Sequence, residues 1–328
     1  MFDLRLGDCL EVMADIPDNS VDLILTDPPY FKVKNEAWDK QWDRPDQFLA
    51  WLDTILEQFQ RILKPNGSLY LFASPKMSAR VEVLIARRMN VLNNIRWDKT
   101  EGAGRHRGAC KEALRSYFPT WEAVIFAEHY GADNIAKGEA GYLAKCDELR
   151  GFIFEPLRAY LDGERERAGF SSKQCNEACG NQMAGHYFSS VQWTLPTLAN
   201  YEKLRAAFNS CGGEYLRKDY EELRKDYEEL RRPFSVTADV HYTDTWTFDT
   251  VKPYAGKHPC EKPQAMLRHI IAASSKPGAV VFDAFAGTGS TGIAATSMGR
   301  KFIGCDMSAE YIEIARQRIE QAHAANAA

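Results

Sequence analysis

The chain has 328 residues, 45% hydrophobic and 26% charged, a balance that excludes a disordered chain and lets a main domain plus a smaller one bury a core without staples. The formal net charge of −4 leaves nucleic acid open as a partner only if positive charge is gathered locally. No apolar run approaches the length of a membrane span. The start, MFDLRLGDCLEVM, has neither the basic region nor the continuous apolar stretch of a secretory signal. Eight cysteines without a C-x-x-C pair read as free thiols in a reducing cytoplasm.

In chain order, LRLGD is a short strand and CLEVMADI a helix that ends before Pro17. VDLILTDPPY (21–30) is an apolar run stopped by two prolines, the pattern of a buried parallel strand. FKVKNEAWDKQWDRPDQ follows as a loop whose Trp38 and Trp42 read as packing residues or as a cover over the site. FLAWLDTILEQFQRIL has helical periodicity and is stopped by Lys64-Pro65-Asn66-Gly67. SLYLFAS is a strand, MSARVEVLIARRM a helix, and VLNNIRW and EAVIFAE two further strands. Near the other end, QAMLRHIIAASS is a helix, AVVFDAF a strand, and GTGSTG opens a helix. KFIGCDM is a strand and AEYIEIARQRIEQAHAA the last helix. Strands alternating with helices predict a doubly wound, mostly parallel sheet assembled from residues 1–130 and 236–328.

Residues 131–235 read as a helical insert. It contains a literal duplication, KDYEELR at 218–224 and again at 225–231, which places Tyr220, Leu223, Tyr227 and Leu230 at a/d spacing. One stripe packing an exposed helix and a homodimer seam both fit that pattern. Cys175 and Cys179, near His186, lack a second ligand pair and read as small apolar residues on a helix rather than a zinc site.

Gly287, Gly289 and Gly292 spell G-x-G-x-x-G after a strand and at the start of a helix. Asp306 closes the next strand, 306 − 283 = 23 positions after Asp283. This context predicts a nucleotide-binding βαβ unit with an acid placed for a ribose hydroxyl. Asp283 chooses between ligands. A carboxylate facing the glycine turn repels a pyrophosphate but suits S-adenosylmethionine, which carries an ammonium and a sulfonium.

Asp27-Pro28-Pro29-Tyr30 ends the buried strand. The prolines stiffen the segment and present two acceptors, the Asp27 carboxylate and the Pro28 carbonyl, beside the Tyr30 ring. An aryl amine is a poor nucleophile because its lone pair is delocalised into the ring. Two acceptors taking its two N–H groups draw the nitrogen toward tetrahedral geometry and free the lone pair for a methyl donor. Tyr30, with Phe31 nearby, can stack on the base. No cysteine sits beside this motif, and methylation at cytosine C5 needs one.

The chain resembles the β-group of S-adenosylmethionine-dependent DNA amino-methyltransferases, in which the catalytic motif precedes the cofactor motif. The stretches that carry the resemblance are GDCLEVM (7–13), VDLILTDPPY (21–30), RILKPNGSLYLF (61–72), KHPCEKP (257–263), VFDAFAGTGSTG (281–292) and GRKFIGCDMSAEYIEIARQRI (299–319). Ala284, Cys260 and Asp306 replace the proline, threonine and glutamate common in the family, without removing a needed chemical group. The resemblance implies a circularly permuted, seven-stranded Rossmann-like methyltransferase sheet. It assigns Asp283, Phe285, Gly287, Gly289, Ser290 and Thr291 to the methionine part of the cofactor and Asp306 to the ribose. Asp8 takes the adenine edge, with Cys9 and Met307 lining it, Lys262 the cofactor carboxylate, and Asp27 also borders the cofactor; by itself Lys262 reads as surface charge. In the family D-P-P-Y goes more with adenine N6 and S-P-P-Y more with cytosine N4. Adenine is therefore the expected target and N4 of cytosine the alternative. Methylation of RNA or of a protein glutamine, and a DNA-binding regulator on an inactive scaffold, are the remaining rivals.

The target amino group lies inside duplex DNA, so its base must be flipped out. Arg105, Arg107, Lys111 and Arg115 in RHRGACKEALR form a basic loop that can grip phosphates. Residues 155–193 are similar to helix-turn-helix domains, with a turn at Gly169, a short helix, a turn at Gly180 and a second short helix. In that frame Asn181, Gln182, His186 and Gln192 face base edges.

Overall fold

The computed structural model describes residues 1–33, 39–99, 115, 117, 119–129, 142–189, 193–236, 242–252 and 260–327. The expectations for Trp38, Arg105, Arg107, Lys111 and Gln192 lie outside these residues. The chain divides into two compact units, one formed by Met1–His129 with Pro233–Ala328, the other by Tyr130–Arg232.

The first unit begins with β1 (Phe2–Leu6), α1 (Cys9–Ala14) and β2 (Val21–Thr26). Next come α2 (Pro45–Ile62), β3 (Leu63–Ala73), α3 (Ser78–Ala86), β4 (Asn90–Asp98) and β5 (Trp121–Glu128). Its later part holds β6 (Thr245–Thr247), α8 (Gln264–Ser274), β7 (Val280–Asp283), α9 (Ser290–Ser297), β8 (Lys301–Asp306) and α10 (Ala309–Ala327). The sheet order is β1-β8-β7-β2-β3-β5-β4-β6. All pairings are parallel except those of β5, which runs against both β3 and β4.

Alternation along each strand builds a core on either face of the sheet. Ile24, Leu69, Leu71, Ile125 and Phe282 meet α1, α2 and α3. Leu23, Leu25, Tyr70, Phe72, Val124 and Val281 meet α8, α9 and α10. α2 supplies Phe48, Leu52, Ile55, Leu56, Phe59 and Ile62, a helical stripe that is entirely buried.

Two elements correct the sequence reading. β3 starts at Leu63, and Lys64-Pro65-Asn66-Gly67 is a bulged lead-in: Val21 pairs with Leu63 while Leu23 pairs with Ser68. The sheet also has eight strands, the addition being β6, an edge strand too short to leave a periodicity. Buried Trp246 anchors it against His269 at 5.0 Å.

The second unit packs α4 (Tyr142–Arg167), α5 (Ser172–Cys179), a 3₁₀ turn (Ala184–Tyr187), α6 (Leu198–Asn209) and α7 (Tyr220–Leu230). Ser171 and Gln174 form a reciprocal capping box on α5, and Gly180 ends it at φ 71°. Cys175 and Cys179 are buried in this unit's core. The expected second short helix is only the 3₁₀ turn. Asn181 and Asn176 side chains accept from the Met183 and Gly185 N–H groups, and local bonds of this kind compete with helix. On α7, Leu223 is buried, Tyr220, Tyr227 and Leu230 pack against the same core, and Tyr227 stacks on Phe154 at 5.2 Å. The duplicated stripe therefore packs within its own unit. Among the described residues no helix is long and apolar enough to cross a membrane.

Candidate active site

β2 and β7 are neighbours although the chain between them is long, and Thr26 at the end of β2 donates to Asp283 Oδ1 at the end of β7, 2.7 Å away. The winding direction reverses between these two strands, which is where α/β ligands bind. A cavity of about 320 Å³ opens there. It is lined by Asp8, Cys9, Asp27, Pro28, Pro29, Tyr30, Lys262, Asp283, Phe285, Gly287, Ser290, Thr291, Asp306 and Met307. Of the residues expected at the cofactor, only Gly289 is not on the wall. It sits at φ 81°, and a Cβ there would lie 2.9 Å from Ala315 Cβ, so its small size serves the close approach of α9 to α10.

The acids are held in different ways. Asp8 caps α1, its Oδ1 accepting from the Leu10 N–H at 2.8 Å. Asp306 accepts from the Gly287 N–H (2.9 Å) and the Ser308 N–H (2.9 Å), tying the glycine turn to the end of β8. Each carboxylate retains lone pairs for a further donor. Asp283 is 3% exposed. Burial raises its carboxyl to about 6, against the hydrogen bonds from Thr291, Thr26 and the Phe285 N–H.

Asp27 has a cation. Lys262, read from sequence as surface charge or as a ligand for a cofactor carboxylate, is 6% exposed, and its ammonium pairs with Asp27 Oδ2. Arg318 of α10 brings the lysine's segment in by holding both Glu261 (2.6 Å) and the Thr288 carbonyl (2.9 Å). Asp27 Oδ1 is buried with no hydrogen-bond partner among the described residues. Burial raises Asp27 above the ordinary carboxylate range while Lys262 pulls it down.

The sequence reading missed three residues here. Glu122, at the start of β5, lies 3.5 Å from Lys262 Nζ, accepts the Tyr30 hydroxyl at 3.1 Å, and pairs with Lys99 just beyond β4. Burial opposes its charge, yet Lys262 and Lys99 together hold it below its ordinary value. Asp39, fully buried in the segment read as a plain loop, accepts from the Tyr30 N–H (2.7 Å) and the Val33 N–H (2.6 Å). It thereby fixes a turn in which Phe31 and Lys32 both have positive φ, 62° and 58°. The only advance signal was an Asp and a Glu placed among aromatic and apolar neighbours. Tyr30 itself is 7% exposed, so the ring meets the cavity with little free surface. Trp42 packs against Trp51 at 4.5 Å, and Trp51 lines the cavity. Arg115 and Gln182 are exposed; Asn181 and His186 are half-buried.

This fold and this acid-lined cavity at the reversal point define a Rossmann-like α/β enzyme of the methyltransferase class. The family model described as DNA methylase matches residues 21–317, and the chain belongs to that family. It is similar to the Type II methyltransferase M2.DpnII of Streptococcus pneumoniae, 45% identical over 341 aligned positions that cover 98% of this chain and 90% of the relative. It is also similar to the DNA adenine methyltransferase YhdJ of Escherichia coli K12, 25% identical over 321 positions, covering 96% and 82%. Among solved structures, M1.HpyAVI in its SAM complex aligns with a TM-score of 0.52 at 17% identity, over 97% of this chain and 99% of its own. The PvuII cytosine-N4-specific DNA methyltransferase aligns at 0.50 and 12%, over 99% and 92%. At such identities these two alignments speak for the fold.

Proposed function

We propose that the protein transfers a methyl group from S-adenosylmethionine to N6 of adenine in double-stranded DNA, in the cytoplasm, with the target base flipped into the cavity. One observation carries this reading: the unpartnered Asp27 Oδ1 and the buried Asp283 open onto the same cavity from adjacent strand ends.

The residues present fit the cofactor. Asp283 has hydroxyl and amide donors but a carboxyl raised to about 6, the state of an acid that gains from a ligand ammonium. Pyrophosphate against the same carboxylate would be repelled. Asp306 and Asp8 take hydroxyl and amino donors, Ser290 and Thr291 stand at the start of α9, and Cys9, Phe285 and Met307 supply apolar surface. When bound, S-adenosylmethionine supplies an electrophilic methyl group. Asp27 Oδ1 and the Pro28 carbonyl accept from the amino group of the base, and the Asp27 charge stabilises the positive charge that develops on nitrogen. Tyr30 orients the ring. Lys262 holds the other oxygen of Asp27, so a role at the cofactor carboxylate requires it to be shared.

Adenine is favoured by the Asp27-Pro28-Pro29-Tyr30 motif and by the likeness to a relative named for adenine. The likeness to a Type II relative supports a place in restriction–modification. We assign base readout to the helical unit, through exposed Gln182 and neighbouring Asn181 and His186, and phosphate contact to the segment carrying Arg115. The test is to incubate protein, duplex DNA and S-adenosylmethionine, then resolve the digested nucleosides by mass spectrometry. N6-methyladenine is expected; N4-methylcytosine, or no methylated base, would overturn the assignment.

A further inference from the structure

Asp27, Lys262, Glu122 and Lys99 form a row of alternating charge, two carboxylates and two ammonium groups, with Lys262 buried and the others half-buried. Methyl transfer as read above uses Asp27 and has Lys262 hold its other oxygen, but gives Glu122 and Lys99 no part. A charge row is costly to bury, and replacing such groups by apolar ones is often neutral or stabilising, so stability alone is a weak reason for it. The geometry is more specific. Lys262 Nζ stands between Asp27 Oδ2 and Glu122 Oε2 and over the rings of Phe72 (4.8 Å) and Tyr30 (5.3 Å). Glu122 Oε2 also receives the Tyr30 hydroxyl. One carboxylate thus reaches, through one atom, both the cation on the acceptor and the ring that is to orient the base.

We propose that Glu122, backed by Lys99, is a positioning residue that shares Lys262 with Asp27, and so sets how strongly the Asp27 carboxylate accepts a hydrogen bond from the target amino group. This rests on the methyl-transfer reading above. Held by Lys262 alone, Asp27 is a weaker acceptor, because the ammonium takes up its negative charge. With Glu122 drawing on the same ammonium, Asp27 keeps more of that charge for Oδ1. Lys99 limits the draw by neutralising Glu122.

The arrangement makes two substitutions act in opposite directions. Glu122→Gln removes a negative charge that faces Asp27 and releases Lys262 to it, so Asp27 ionises at lower pH. Lys99→Met leaves Glu122 unneutralised, so Lys262 is drawn away from Asp27, which ionises at higher pH. The titratable groups facing this carboxylate are Lys262 before α8, Glu122 on β5, Lys99 after β4, Tyr30 on its own segment, and Asp283 on β7, with Cys260 beside Lys262 and Tyr30. Saturating S-adenosylmethionine holds Asp283 charged, leaving Asp27 as the acid that governs the low-pH limb.

The experiment is kcat against pH for the full chain and both variants at saturating cofactor and DNA, with cofactor affinity measured by calorimetry and folding by thermal melting. Expected is a fall in kcat of about tenfold for Glu122→Gln, with the acid limb displaced downward by about 0.5 pH. For Lys99→Met the limb moves upward by a similar amount, and cofactor affinity stays within about twofold in both. Variants that fold and bind cofactor but keep the limb in place, or move it in the same direction, overturn the proposal. If Glu122→Gln does not fold, Lys99→Met decides alone: an upward displacement supports the proposal and an unmoved limb ends it. Failure of the methyl-transfer reading is separately visible, since the unaltered chain would then methylate no exocyclic amine.

Discussion

Asp27 and Asp283 are the same residue type at the ends of neighbouring strands of one sheet, yet they are kept in opposite ways. Asp27 is paired in advance with Lys262, with Glu122 and Lys99 behind it, so a cation opposes the effect of burial on it before any ligand arrives. Asp283 is held by Thr26 and the Phe285 N–H and, with burial as the dominant influence, sits at about 6. The difference separates two tasks. An acceptor that must act in the transition state is preorganised, while an acid that recognises a cationic ligand is left with its charge unmatched, so that binding supplies the partner.

The comparison breaks most sharply at Asp27. Asp27→Ala should lower methyl transfer by about 10²–10³-fold or more while leaving cofactor affinity nearly intact, read by single-turnover kinetics beside calorimetry. Full activity in that variant would remove the proposed chemistry. Asp283→Ala should do the converse, weakening cofactor binding by about 10–100-fold, as expected for one charge-assisted hydrogen bond lost. Unchanged affinity would take away the argument that selects an ammonium-bearing ligand.

A pH titration sharpens the contrast without mutation. The Asp283 carboxyl lies above its ordinary value of 3.8, at about 6. Its contribution to the ligand-free fold is therefore present below 3.8 and lost as pH rises through about 6. Cofactor binding needs the ionised form and runs the other way. Affinity should hold above pH 7 and fall about tenfold by pH 5, and a flat profile across that window would contradict the assignment. The smallest expected effect is that of Tyr30→Phe, which removes the hydroxyl donated to Glu122 and costs about 0.5–1.5 kcal/mol, a several-fold fall in kcat at constant cofactor affinity.

The apolar runs VDLILT and AVVFDAF, the prolines after Asp27 and the turn at Gly287 are local statements about backbone and burial, and each put its element and its acid at the right end of the right strand. What sequence did not disclose depends on which strands become neighbours. Glu122 reads as the polar start of an apolar strand until β5 is set antiparallel beside β3 and Lys262 arrives from a segment more than a hundred residues later. By itself Lys262 reads as surface charge for the same reason, because the groups around it, Asp27, Glu122, Tyr30 and Phe72, all come from distant segments. Within the helical unit the second short helix failed because asparagine side chains satisfied the backbone locally, a competition that periodicity does not register.

The hydroxyl bridge from Thr26 to Asp283 joins residues 257 positions apart. During synthesis the acceptor segment leaves the ribosome early and waits, with no donor pocket beside it, until β7 has emerged. A product cut short before that strand carries Asp-Pro-Pro-Tyr but no wall for the cofactor, so abortive translation yields no reactive fragment. Pairing across so long a separation is intrinsically slow, so cofactor affinity is expected to appear only once the newly made chain has completed its sheet.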